Sequence, residues 1–317
     1  MNTPILLSSP QYDTFTHELA TMIGGEVGEV ERRTFPDGEH YQRILVDVHE
    51  RSVVVVGGTT DDSSTLMIYD LACAAVKYGA RRLDICIPYF GYSTMERAVR
   101  PGEIVTAKTR ARLLSAVPQA ARGNHFHLLD LHSEGIPHYF EGPVTTQHLS
   151  SHALWCDRLH SLNDGDFVLA STDAGRAKQV EALANRLRVD AALIIKRRVS
   201  GSKTEVVGVN AHVEDRIVVI YDDMVRTGGS LIKAAEAYLE AGAREVYAVC
   251  SHGVLPEGTW ERLQQTQVFT LVITTDSHPR AQALSLSAQG LEVLSVVPLF
   301  AEALRPIFSR ALHSDRT

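Results

Sequence analysis

Val218-Val219-Ile220-Tyr221-Asp222-Asp223-Met224-Val225-Arg226-Thr227-Gly228-Gly229-Ser230-Leu231 is the stretch whose reading decides the fold. It opens as a short β-branched apolar run, too short for a helix and suited to a strand covered on both faces. The run delivers two adjacent carboxylates, and a Gly-Gly turn then opens a helical pattern over residues 229–241. A buried strand that turns through a polar tip into a helix belongs to an alternating α/β architecture.

Similar runs recur on both sides of it, at 52–56, 83–87, 126–129, 167–169, 191–195, 246–249, 268–273 and 291–297. Helical patterns at 64–78, 106–116 and 176–187 lie between them. The alternation predicts doubly wound parallel sheets in two α/β domains, 1–147 and 148–317. The polar stretch 142–148 is the best boundary, and the segment after Leu291 is one that can fold back on the first domain. Several runs end abruptly in polar residues: Asp130-Leu131-His132, Ser171-Thr172-Asp173-Ala174-Gly175, Asp222-Asp223 and Ser251-His252-Gly253. Ligands bind at the carboxyl ends of strands in open α/β sheets, so these tips are the candidate site.

Composition narrows the function. The chain of 317 residues is 44% hydrophobic and 22% charged, with a net charge of −7. Acidic and basic residues are mixed along it, without the basic stripe of a nucleic-acid binder. No apolar run approaches the ~20 residues needed to span a bilayer. Ile5-Leu6-Leu7 follows no basic residue, which argues against a secretory leader. Cys73, Cys86, Cys156 and Cys250 lie far apart without a CxxC pair, as expected of free thiols in a reducing cytoplasm.

The chemistry of the quoted stretch is specific. Backbone N–H groups at a helix start bind anions, and glycine lets a phosphate come close. Thr227 and Ser230 add hydroxyl donors. Two carboxylates just upstream suit the vicinal hydroxyls of a sugar. A sugar phosphate offers both, with its phosphate toward Arg226, Thr227, Gly228, Gly229 and Ser230, and its hydroxyls toward Asp222 and Asp223. There is no GxxxxGK[ST], so the loop is not a P-loop.

This segment resembles the phosphoribosyl-diphosphate-binding motif shared by phosphoribosyltransferases and ribose-phosphate diphosphokinases. The first half separates the two. Arg33-Thr34-Phe35-Pro36-Asp37-Gly38-Glu39-His40-Tyr41 resembles the nucleotide loop of ribose-phosphate diphosphokinases, and Ile87-Pro88-Tyr89-Phe90-Gly91-Tyr92 their second nucleotide segment. The resemblance implies two domains of the type I phosphoribosyltransferase-like kind. It implies transfer of the β,γ-diphosphate of ATP to the C1 hydroxyl of ribose 5-phosphate. ATP would be held by Phe35, Asp37, Gly38, Glu39, Thr94, Met95, Arg97 and His132, and Mg²⁺ by His132 and Asp173. Lys196 and Arg198, in Lys196-Arg197-Arg198, match the catalytic residues of the family's flexible loop. His125 and His127 share one strand face and are read as structural.

Thr94-Met95, Arg226 and Trp260-Glu261-Arg262 are more similar to the plant-type second class than to the first, which places phosphate and ADP regulation in question. The resemblance further implies a cytoplasmic, dimer-based homo-oligomer extending to a hexamer, with ATP and ribose 5-phosphate as its partners. The alternatives are a phosphoribosyltransferase, a catalytically inactive regulatory homologue and a purely structural α/β protein.

Overall fold

The computed structural model describes residues 3–162, 165–200, 203–209 and 211–309, with the side chains of 174, 195–200, 203–209 and 306–309 excepted. The chain divides into two compact units, one holding Met1–Ser150 with the chain from Val296 onward, the other Ser151–Ser295.

The first unit runs β1 (Ile5–Ser8), α1 (Asp13–Ile23), β2 (Glu26–Val27), β3 (Val30–Thr34), β4 (His40–Ile44), β5 (Ser52–Val56), α2 (Asp62–Lys77), β6 (Arg82–Ile87), α3 (Thr106–Ser115), β7 (Asn124–Leu129) and β8 (Val144–Leu149). Six strands make a parallel sheet in the order β2-β1-β5-β6-β7-β8, and β3 and β4 form a separate antiparallel hairpin. Ile5, Leu6, Leu7 and Val53 to Val56 are fully buried, which is why these strands read as unbroken apolar runs rather than alternating ones. α2 starts where the Asp61 side chain accepts from the Ser64 N–H at 2.7 Å, a cap for one of the first-turn donors. The stretch 142–148, read as an interdomain boundary, is instead largely the edge strand β8, and the division between the units falls just after it.

The second unit runs α4 (His152–His160), β9 (Val168–Ser171), α5 (Ala177–Leu187), β10 (Asp190–Ala192), β11 (Ile194–Ser200), β12 (Lys203–Val209), β13 (Ile217–Val225), α6 (Gly229–Glu240), β14 (Glu245–Gly253), α7 (Thr259–Thr266), β15 (Leu271–Thr275), α8 (Pro279–Ser285) and β16 (Leu291–Leu294). Its parallel sheet has the order β10-β9-β13-β14-β15-β16, and among the described residues β11 and β12 form a separate antiparallel pair. From β9 the chain steps outward to β10, then returns to place β13 on the other side of β9. The tips of β9 and β13 therefore flank the topological switch point, the crevice where open α/β sheets bind ligands.

Two expected strands are divided differently. The run 191–195 splits between β10 and β11, and 291–297 stops at Leu294 before α9 (Val297–Ser309) begins. Pro298 sits in the first turn of α9, where a missing N–H leaves no bond unmade. α9 packs on α1, with the rings of Phe15 and Phe300 edge to face at 5.6 Å between centroids.

Candidate functional site

β13 carries Asp222 and Asp223 to the switch point of the second unit, where the loop after β9 meets them. Asp223 is buried and Asp222 nearly so. Thr172 Oγ1 donates to Asp222 Oδ2 at 3.0 Å, and the Asp223 N–H donates to Asp222 Oδ1 at 2.9 Å. Arg176 reaches both carboxylates, with Nη2 2.5 Å from Asp223 Oδ2 and Nε 3.6 Å from Asp222 Oδ1. Burial first, then the hydrogen bond and like charge of Asp223, push the Asp222 carboxyl up to about 7, while Arg176 opposes the rise. The two carboxyl groups thus share one buried counter-ion. Two adjacent buried carboxylates demand a cation; that demand is the signal for Arg176, which the sequence pattern alone shows only as the start of a helix.

The chain then leaves the sheet through Arg226 and Thr227, both exposed, to Gly228. Gly228 is the cap of α6, at φ +72°, and no side chain caps the first turn. The first-turn N–H groups, those of Gly229 and Ser230 among them, are donors without a helical partner. A Cβ on Gly228 would stand 2.8 Å from Leu263 Cδ2, so both conformation and packing require glycine there. The result is a cup of backbone donors a short step from the paired carboxylates, which can hold an anionic group and a hydroxyl-bearing one together.

Asp173 is half-exposed at the tip of β9, and its Oδ1 accepts from the Gly175 N–H at 2.8 Å. Lys196 and Arg198, which the resemblance places on the family's flexible loop, lie on β11, opposite Val206 and Thr204 of β12. The two strands pair as an antiparallel hairpin, with register shifts between Ile195 and Lys196 and between Arg198 and Ser200. The side chains of Lys196 and Arg198 lie outside the described residues.

In the first unit Phe35, Asp37, Gly38 and Glu39 form the turn between β3 and β4. The Phe35 N–H donates to the Glu39 carbonyl at 2.8 Å, the Glu39 N–H to Asp37 Oδ1 at 3.2 Å, and Gly38 takes φ +91°. Phe35 stays 45% exposed, edge to face with Tyr41, which leaves a ring available for stacking. Thr94, Met95 and Arg97 are exposed in the segment between β6 and α3. That segment is anchored at Gly91, whose N–H donates to Thr59 Oγ1 at 2.7 Å. A Cβ on Gly91 would stand 1.9 Å from the Thr59 carbonyl oxygen. His132 follows β7, beyond Asp130 at φ 37°. His127, read as structural, bonds the buried Asp84 at 2.9 Å through Nε2.

Among the described residues no three His, Cys, Asp or Glu side chains gather into a metal cage. A hard divalent cation carried on substrate phosphates and water needs only one or two carboxylates from the protein. The half-exposed Asp173 has that character, and the donor set fits such an ion.

A profile for the N-terminal domain of ribose phosphate pyrophosphokinase matches residues 5–117, and one for the phosphoribosyl synthetase-associated domain matches 198–314. A ribose-phosphate pyrophosphokinase of Fusobacterium nucleatum is 31% identical over 94% of this chain and 93% of its own length. The chain belongs to the ribose-phosphate pyrophosphokinase family.

The ribose-phosphate pyrophosphokinase of Bacillus subtilis is likewise 31% identical, over 90% of this chain and 88% of its own. The crystal structure of phosphoribosylpyrophosphate synthetase from Mycobacterium smegmatis superposes with a TM-score of 0.86 at 24% identity, covering 98% of this chain and 100% of that one. The α/β fold with two parallel sheets and the reading as an enzyme, a ribose-phosphate pyrophosphokinase, hold as expected. No helix among the described residues is long and apolar enough to cross a membrane.

Proposed function

We propose that the chain binds ATP through its first unit and ribose 5-phosphate through its second, and releases AMP and phosphoribosyl diphosphate. The observation that carries this reading is the buried Asp222–Asp223–Arg176 group beside the uncapped start of α6. The carboxylates accept from the ribose diol, and the N–H groups of the α6 first turn, with Thr227 and Ser230, hold the 5-phosphate. Phe35 stacks on the adenine, and Asp37 and Glu39 accept from its exocyclic amine. Gly38, Thr94, Met95, Arg97 and His132 complete the nucleotide contacts.

Lys196 and Arg198 neutralise the migrating diphosphate, the main demand of a transfer governed by positioning and charge. Mg²⁺, the cation we assign, would be held by Asp173 and, partly through water, His132. When bound it supplies charge neutralisation on the phosphate oxygens. The anomeric hydroxyl is more acidic than an ordinary alcohol, so no strong dedicated base is required of the chain.

The finer assignments rest on single residues. Thr94-Met95, Arg226 and Trp260-Glu261-Arg262 favour the plant-type class, with activity independent of inorganic phosphate. We assign the chain to the cytoplasm, as a dimer-based homo-oligomer. The deciding experiment follows AMP from ATP and Mg²⁺ with and without ribose 5-phosphate. AMP only in its presence is expected, whereas ADP as product, or AMP only when a nucleobase is added, would overturn the reading.

A further inference from the structure

The loop between β13 and α6 has a wall that none of the sugar-phosphate residues above supplies. α7 lies against it. Leu263, buried on α7, meets the place a Cβ on Gly228 would occupy, and its neighbour Arg262 stands over Gly229. A Cβ on Gly229 would be 3.4 Å from Arg262 Nη2, ordinary contact distance. The guanidinium therefore lies within reach of the backbone at the first residue of α6. It is exposed, and no carboxylate pairs with it among the described residues. Trp260 and Leu263 are the buried face of α7, and that packing sets where Arg262 projects.

An unpaired guanidinium beside N–H donors that lack a helical partner makes two kinds of donor for one anion. The planar fork matches the oxygens of a phosphomonoester, and the helix start favours negative charge. Gly229 matters for the same reason, since a side chain there would stand between the fork and the N–H groups.

We propose that Arg262 is a substrate-binding residue for the 5-phosphate of the sugar, donated from α7 to the anion bound at the start of α6. This rests on the reading of Arg226, Thr227, Gly228, Gly229 and Ser230 as the sugar-phosphate loop. It adds a charge that arrives from a separate helix, more than thirty positions later in the chain.

The test is steady-state kinetics of the full chain with Arg262→Gln and Arg262→Lys, each checked for an unchanged thermal midpoint. Arg262→Gln is expected to raise the KM for ribose 5-phosphate roughly 10-fold, the size of one charge-assisted hydrogen bond. The KM for ATP and kcat should stay within about 2-fold of wild type, and Arg262→Lys should recover part of the loss. An unchanged ribose 5-phosphate KM in Arg262→Gln overturns the proposal, as does an equal rise in both KM values with a lowered midpoint, which would mark a structural role. The underlying reading fails differently. In that case wild-type AMP formation is independent of ribose 5-phosphate, or Asp222→Asn leaves its KM unmoved.

Discussion

Arg176 Nη2 lies 2.5 Å from Asp223 Oδ2, and both side chains are more than nine-tenths buried. Breaking a buried pair from one side leaves an uncompensated charge, at a cost of about 3–5 kcal/mol. Arg176→Ala should lower unfolding stability by that amount, read from the denaturant midpoint. Arg176→Lys keeps the charge but loses the two-pronged reach to Asp222 and should lose less. A Lys variant as unstable as the Ala variant would show that the fork geometry, not the charge, is what the pair requires.

The raised Asp222 carboxyl gives a pH dependence with a definite sign. Its proton is held more tightly in the folded chain, so its contribution to stability is full below the ordinary carboxylate range and is lost as pH rises through about 7. The charged form accepts the stronger hydrogen bond from a ribose hydroxyl. The KM for ribose 5-phosphate should therefore rise about 10-fold between pH 8 and pH 6, as for one proton of that pKa. The substrate phosphate titrates nearby, with a second pKa of about 6. Asp222→Asn separates the two, because only the phosphate contribution should remain in its profile.

Gly228→Ala meets two obstacles at once. A left-handed non-glycine residue costs about 1–2 kcal/mol, and overpacking against Leu263 adds roughly 1–3 kcal/mol. A loss of stability of about 2–5 kcal/mol with a raised ribose 5-phosphate KM is expected. A variant as stable as wild type would show that the loop can relax away from α7.

Lys196→Ala and Arg198→Ala should each reduce kcat by a factor on the order of 10²–10⁴, with smaller effects on ATP binding. Arg197→Ala should be milder. Turnover near wild type in the Lys196 variant, measured at saturating substrates, would remove that residue from the reaction.

What the sequence discloses about the site follows from the range of each interaction. Asp222, Asp223 and the glycine turn are consecutive, so strand, tip and helix start can be read from one window. Arg176 cannot be read this way, because its partners come from another strand and only the sheet order β9-β13 brings them together. Arg262 is hidden for the same reason. The Lys196-Arg197-Arg198 triplet reads as a basic turn, and only its pairing with β12 makes it part of a strand. Near the end of the chain, the apolar run through Val297 looks continuous, and only the fixed φ of Pro298 marks where strand gives way to helix. The hairpin turn at Phe35 was legible through Pro36-Asp37-Gly38, whereas the close seating of Gly91 on Thr59 was not.

The packing of α9 on α1 also sets an order for synthesis. Phe300, Ala301 and Leu304 are fully buried in the first unit, yet they are made after every residue of the second. Chains generally fold their leading domain first as it emerges. Here α9 can cover Phe15 of α1 only after the later unit has been translated in full. The ribosome therefore completes the second unit before α9 can close on the first, and a chain halted before α9 would leave Phe15 without its Phe300 partner.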